Sequence, residues 1–197
     1  MDFQRLANLA SQRYGENARK NVVELESLLI QLKSAPEAEK LRRINDFFNN
    51  KITFDSDDSV WGESDYWATP LESLGKGKGD CEDFSIAKYI FLRALDIPND
   101  RLKLTYVRAQ IGGPHSRLFQ AHMVLSYYAT PTSEPLILDS LIADIREASR
   151  RIDLTPIFSF NSEGLWAGAA NTTKGTSLNN LSRWRSVLVR IQQDGIE

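Results

Sequence analysis

Cys81 is the only cysteine in a chain of 197 residues, so its thiol cannot form an internal disulfide. It follows Gly79-Asp80 and opens the run Cys81-Glu82-Asp83-Phe84-Ser85-Ile86, where a polar loop gives way to an apolar helix. The N-terminal end of a helix carries partial positive charge and favours thiolate over thiol, a common way to activate a cysteine nucleophile. Acyl-transfer chemistry also needs a proton partner. His115 follows Gly112-Gly113-Pro114 and reads as an exposed loop residue, whereas His122 lies in the β-rich run Ala121 to Tyr128. A second β-rich run, Pro135 to Leu141, follows the turn residues Thr130-Pro131-Thr132-Ser133. A hairpin centred between Thr130 and Pro131 pairs His122 with Asp139. Directly opposed residues of antiparallel strands carry Cβ atoms about 4.5–5.5 Å apart. An aspartate in Leu136-Ile137-Leu138-Asp139 is costly to bury alone, and His122 is its natural partner. Asp139 then orients the imidazole, and His122 exchanges a proton with Cys81. The plainer alternative makes Cys81 a small buried apolar residue and His122 a strand histidine satisfied by a neighbour.

The elements that must position these residues follow from periodicity. Phe3, Leu6, Leu9 and Ala10 share one helical face, and Val22, Val23, Leu25, Leu28, Leu29 and Leu32 repeat the pattern beyond Gly15. Ser34-Ala35-Pro36-Glu37 reads as a capping box opening a third helix, with Leu41, Ile44, Phe47 and Phe48 turned to a core. Residues 1–50 thus form a helical lobe. Residues 51–80, with Asp55, Asp57, Asp58, Glu63 and Asp65 among Trp61, Gly62, Trp67 and Pro70, read as one long active-site loop. A buried helix spans residues 81–95, with Asp80 near its N-cap. Strands follow at Leu102 to Val107 and in the two runs around the hairpin, with short ones at Ile157 to Phe160 and Leu165 to Ala167. A closing helix from about Asn180 to Gln193 puts Leu181, Trp184, Leu188 and Ile191 on one face. The fold class is α+β in one domain over residues 1–197: a helical lobe on an antiparallel sheet, then a C-terminal helix.

Composition removes several function classes. Lys plus Arg is 24 and Asp plus Glu is 26, a net charge of −2, which argues against a dedicated nucleic-acid binder. One Cys and two His cannot build a Cys-rich structural zinc site. No apolar run approaches the roughly 18 residues of a membrane span. Gly75-Lys76-Gly77-Lys78-Gly79 lacks the Gly-Lys-Ser/Thr ending of a phosphate loop. Asp55-Ser56-Asp57-Asp58-Ser59 only superficially resembles an EF-hand start, because Val60 and Tyr66 stand where that loop needs Gly and Glu. Met1-Asp2-Phe3-Gln4-Arg5 shows no basic stretch ahead of an apolar core, which fits either a cytoplasmic protein or a mature domain with a new start methionine.

Gly79-Asp80-Cys81-Glu82-Asp83, Ala121-His122-Met123-Val124-Leu125 and Leu138-Asp139 together resemble the bacterial transglutaminase-like cysteine proteinases, and the LapG family among them. Trp61-Gly62-Glu63-Ser64-Asp65-Tyr66-Trp67-Ala68-Thr69-Pro70 and Ile86-Ala87-Lys88-Tyr89 carry the same resemblance, which is close over residues 50–142. It implies a papain/transglutaminase-like fold with Cys81, His122 and Asp139 as a triad. It implies a calcium-dependent endopeptidase that cuts a large surface adhesin near its N-terminus after a pair of alanines, dispersing biofilm. It implies a periplasmic setting, with an export signal outside this chain, and a partner in the periplasmic domain of a membrane receptor for cyclic di-GMP.

The calcium expectation has a physical basis. Asp80, Glu82 and Asp83 place three carboxylates around one cysteine. A solvated acidic helix start would look the same. Three anions beside a thiolate raise the thiol's pKa, and a bound Ca²⁺, whose preferred ligands are carboxylate oxygens, cancels that. Asp80, Glu82 and Asp83 are therefore the expected ligands, and Asp100 in the next loop is not counted. The oxyanion donors are expected to be the backbone N–H of Cys81 and, as one of two readings, the Trp61 indole, whose other reading is a packed lid anchor. Trp67 and Tyr66 read as structural, and Ala169-Ala170 as a small-residue loop echoing the substrate motif. The same triad would also serve a transglutaminase or a peptidoglycan amidase, and the fold alone would serve a non-catalytic binding module.

Overall fold

The computed structural model describes residues 1–167 and 178–196. Three helices come first: α1 (Phe3–Tyr14), α2 (Glu16–Leu32) and α3 (Glu37–Lys51). Then come β1 (Thr53–Phe54), α4 (Asp57–Trp61), α5 (Pro70–Lys76), β2 (Lys78–Gly79) and α6 (Cys81–Ala94). The sheet strands are β3 (Leu102–Ile111), β4 (Leu118–Tyr127), β5 (Leu136–Leu138), β6 (Arg146–Glu147), β7 (Leu154–Phe160) and β8 (Leu165–Ala167), and α7 (Leu178–Gln193) closes the chain. The six strands run in the order β6-β5-β4-β3-β7-β8, every neighbour antiparallel. Helices lie against one face, which gives the α+β architecture expected from the sequence.

Helix α6 sits at the centre, and its residues explain why. Phe84, Ile86, Ala87, Tyr89, Phe91 and Leu92 are all buried, so the helix is apolar on nearly every side. Phe91 stacks on Phe48 of α3, rings 5.7 Å apart. Ser85 Oγ donates to the Met123 carbonyl of β4 at 3.1 Å. Lys40 of α3 donates to the Leu95 carbonyl at 2.9 Å, satisfying the helix's negative end. Its start is fixed by a capping box in which Asp80 accepts from Glu82 N–H and Asp83 accepts from Asp80 N–H. A small second cluster, Val107, Ala109, Val124 and Ile137, covers the sheet's other face.

Residues 51–80 are not the single long loop read from the sequence. Thr69-Pro70-Leu71-Glu72 is a complete capping box with proline in the first turn, and it nucleates α5. Gly77 ends that helix at φ 64°, and Lys78-Gly79 pairs in parallel with Thr53-Phe54. The polar, glycine-rich surface of the segment hid these short elements. The Ser34 cap is also not made: Pro36 takes the N-cap position without a side-chain bond, and Glu37 instead accepts from Arg101 at 2.9 Å. Trp184, Val187 and Ile191 bury α7 against the core, whereas the side chain of Leu181 and the pair Ala169-Ala170 lie outside the described residues.

The Phe48–Phe91 stack ties α3 to the helix that carries Cys81. Phe48→Ala is expected to cost about 3–5 kcal/mol of stability, as large-to-small changes of a buried aromatic do. Urea unfolding of the two proteins measures it.

Candidate active site

Cys81, His122 and Asp139 come together, by a route that differs in register from the sequence reading. Ser133 N–H donates to the Thr130 carbonyl at 3.0 Å, so the hairpin centres one residue later than expected. Leu125 therefore pairs with Leu138, and every partner moves by two. The β4–β5 ladder stops there, short of His122. A shift of two keeps each side chain on its face, and Asp139 becomes a diagonal neighbour of His122 instead of a direct one. The contact survives: His122 Nε2 lies 2.7 Å from Asp139 Oδ1, with both side chains buried.

Asp139 is held on all sides. Oδ1 also accepts from Leu141 N–H at 3.0 Å, and Oδ2 accepts from Arg151 Nη2 at 2.7 Å. Asn49 of α3 donates to the Asp139 carbonyl at 2.9 Å, and Asn45 to that of Ala143 at 2.9 Å. Burial alone would push the carboxyl up. The hydrogen bond and charge of His122, the Leu141 N–H and Arg151 outweigh it and hold Asp139 at about 2. An ionised carboxylate only accepts, so His122 carries its hydrogen on Nε2 and leaves Nδ1 to exchange a proton. Lys88 of α6, almost wholly buried, adds positive charge near Asp139, and its burial lowers it to about 7.

Cys81 and His122 line one cleft of about 360 Å³, together with Asp57, Asp65, Asp80, Glu82 and Gln120. Here the expected helix-end activation of the thiol meets stronger opposition. Cys81 Sγ donates to Glu82 Oε2 at 2.8 Å, and Glu82 Oε1 accepts from Tyr106 Oη at 2.9 Å. Burial first, then the charge and hydrogen bond of Glu82 and the charge of Asp80, push the thiol far above its ordinary value.

The three expected metal ligands do not form one group. Ligand atoms of Asp57, Asp80 and Asp83 lie within 4.8 Å of one another, and so do those of Asp80, Cys81 and Glu82. Asp80 is common to both, while Asp83 belongs to the first alone and Glu82 to the second alone. Asp100 belongs to neither. Asp83 is fully buried and accepts from Ala68 N–H at 2.8 Å. Asp57 accepts from Tyr66 N–H at 2.6 Å through Oδ2, and its buried Oδ1 has no hydrogen-bond partner among the described residues. Burial, then the charges of Glu82, Asp83 and Asp57, push Asp80 up to about 9. Burial, with the charges of Asp57 and Glu82, pushes Asp83 up to about 8 against the N–H of Ala68. Asp57 is raised by burial and by Glu82 and Asp65. An all-oxygen set with one buried oxygen unpartnered fits a hard cation, and the Asp57-Asp80-Asp83 set could hold one without engaging the sulfur.

Sequence reasoning missed Asp57 and Arg151. Asp57 starts α4, with Ser56 as its cap, and nothing local marks it as part of a cluster with residues 80 and 83. Trp61 is not among the residues that line the cleft; its ring packs tilted against Tyr66, with Lys76 over it at 5.3 Å, and its buried indole N–H has no hydrogen-bond partner among the described residues. Tyr66 and Trp67 are structural as expected. Tyr66 Oη accepts from Arg190 of α7 at 2.6 Å and donates to Glu72 at 2.9 Å. Trp67 is buried against Phe160, and its carbonyl accepts from Arg190. His115 is exposed in its loop.

With this geometry in view, the comparisons with known proteins are specific. The family model of the bacterial transglutaminase-like cysteine proteinases matches residues 12–150. The chain belongs to that family, and its enzyme class is cysteine proteinase. Solved structures of Legionella pneumophila LapG superpose along almost the whole chain. The EGTA-treated form is 40% identical, covers 97% of this chain and 98% of its own, and has a TM-score of 0.82. The calcium-bound form is 42% identical, covers 97% and 99%, and has a TM-score of 0.79. A further LapG structure is 39% identical with a TM-score of 0.80. None of the curated proteins matches in sequence.

The carboxylate cluster sets a pH dependence. The folded values of Asp80 and Asp83, about 9 and about 8, exceed the unfolded value of about 3.9, so between about pH 5 and about pH 7 the native state binds more protons. In chelator, stability is expected to fall as pH rises through that window, because the cluster must then either keep protons that the unfolded chain has lost or carry uncompensated charge. Lys88, with its lowered value, opposes this only above about pH 7. Asp80→Asn keeps a cap oxygen, removes one titrating group and is expected to flatten the slope. Thermal unfolding of both proteins in EGTA across that window measures it.

Proposed function

We propose that this chain is a calcium-dependent cysteine endopeptidase with Cys81, His122 and Asp139 as its reacting set. It acts in the periplasm on a large surface adhesin, near that protein's N-terminus at a double-alanine site. The periplasmic domain of a cyclic di-GMP receptor holds it in check. The observation that carries the chemical part is Cys81 at the start of α6 in the cleft that His122 also lines, with His122 Nε2 held by a buried, ionised Asp139. The substrate, the receptor and the periplasmic setting rest on the LapG resemblance.

The residues divide the reaction as follows. The Cys81 sulfur attacks the carbonyl carbon, and the Cys81 N–H at the helix start faces the developing oxyanion. His122 Nδ1 receives the thiol proton and passes it to the leaving amine, which departs and leaves a thioester. Water then attacks the thioester, His122 takes the water's proton, and the acid product leaves with the thiol restored. Asp139 keeps the imidazole in the tautomer these transfers need. Asp57, Asp80 and Asp83 would hold calcium, and the ion would supply the positive charge that offsets the carboxylates beside the sulfur. LapG of Legionella pneumophila in calcium-bound form, 42% identical, supports calcium as the ion.

The test is cleavage of an adhesin N-terminal segment containing a double-alanine site. Wild type is expected to cut it, lose activity in EGTA and regain it on adding Ca²⁺, and Cys81→Ala is expected to be folded and inactive. Full activity in excess EGTA would remove the calcium requirement. Absence of cleavage with amine incorporation into a glutamine peptide would make the enzyme a transglutaminase.

A further inference from the structure

Arg151 is the least expected member of the site's surroundings. It lies in the short connection between residues 148–150, a 3₁₀ turn, and β7, and its N–H donates to the Ala148 carbonyl at 3.0 Å. Its side chain is 1% exposed, a rare state for arginine that calls for paired charge. Nη2 donates to Asp139 Oδ2 at 2.7 Å and to Asp153 Oδ2 at 2.7 Å, and Nε donates to Asp153 Oδ1 at 3.0 Å. Nη1 has no partner among the described residues. The guanidinium therefore spends its hydrogen bonds on two carboxylates, one of them the partner of His122.

The arrangement fixes direction as well as charge. The terminal torsion of an aspartate is broad, so nothing in the side chain itself aims Oδ1 at an imidazole. Oδ1 serves His122 and Leu141 N–H, and Arg151 holds Oδ2, so the carboxylate plane is pinned at both ends. Asp153 clamps Arg151 through two donors and is itself partly exposed at the surface. Lys88 adds charge near Asp139 but makes no hydrogen bond to it, so it cannot set the plane. Were Asp139 to rotate or take a proton, it could donate to His122 instead of accepting, and the hydrogen would move to the wrong ring nitrogen.

We infer that Arg151, held by Asp153, is a positioning residue for proton transfer: it pins Asp139 so that His122 presents Nδ1 unprotonated to Cys81. This rests on the reading of Cys81, His122 and Asp139 as the reacting set. The support is the chain of contacts Asp153–Arg151–Asp139–His122, each link 2.7 to 3.0 Å long and, except at Asp153, buried.

The experiment uses the full chain labelled with ¹⁵N-histidine. The chain has two histidines, and exposed His115 serves as the internal reference. Wild type is expected to show His122 with a protonated, downfield Nε2–H and an unprotonated Nδ1. Arg151→Met is expected to give mixed His122 tautomers and to lower kcat on a double-alanine peptide by about tenfold to a hundredfold with KM unchanged, within the 10²–10⁴ that positioned proton transfer contributes. Arg151→Lys recovers part of both. Asp153→Asn, a surface change, gives a smaller loss in the same direction and decides the matter if Arg151→Met does not fold. Wild-type His122 signals in the folded variants would overturn the inference, whatever happens to kcat, because a purely structural role predicts that result. If wild type cuts no peptide, the endopeptidase reading falls, and the histidine signals still decide the role of Arg151.

Discussion

Three carboxylates cannot share a half-buried space unless protons or a cation join them, and this constraint organises the front of the molecule. Asp83 is wholly buried because the capping box of α6 needs it, and because Ala68 N–H reaches its carboxylate. Asp80 must stand beside it as the N-cap, and Asp57 arrives from α4. Gly79 is small for the same reason: a Cβ there would lie 2.6 Å from Asp83 Oδ2. The thiol of Cys81 sits at the edge of this group, and burial first, then Glu82 and Asp80, hold it as a thiol. The position that makes a cysteine a nucleophile thus depends on what neutralises its neighbours.

Distant elements serve that arrangement. Arg190 of α7 bonds the Trp67 carbonyl, Tyr66 and Glu72, and Asp194 accepts from Thr69 Oγ1 at 2.8 Å. The end of the chain thereby fixes residues 66–72, and with them the backbone N–H groups of Tyr66 and Ala68 that hold Asp57 and Asp83. On the opposite side, α3 holds the Asp139 segment through Asn45 and Asn49, and Arg151 holds its carboxylate. One flank of the cleft is an anionic cluster, and the other is a chain of alternating charges ending on His122.

The legible part of the site was the part written in local chemistry. Gly79-Asp80-Cys81 announces a helix start, and the apolar run behind it announces burial, so the place of Cys81 in α6 follows from sequence. His122 and Asp139 were found together although the hairpin centre was one residue off. A two-residue slip preserves the face, and the long reach of a histidine closes a diagonal pair as readily as a direct one. The four short elements within residues 51–80, β1, α4, α5 and β2, are masked by charge and glycine, although the Thr69-Pro70-Leu71-Glu72 box marks α5. Asp57 and Arg151 had no such signal. Each is brought to the site by tertiary packing, across 23 residues to Asp80 and 12 to Asp139, and neither spacing belongs to a helix or a strand pair.

A cation held by Asp57, Asp80 and Asp83 would set the reactivity of Cys81. The direct measurement is the rate of Cys81 alkylation by iodoacetamide as a function of pH, in Ca²⁺ and in EGTA. The rise in reactivity is expected to begin at markedly lower pH with Ca²⁺ than with EGTA. Superimposable profiles in the two conditions would contradict it.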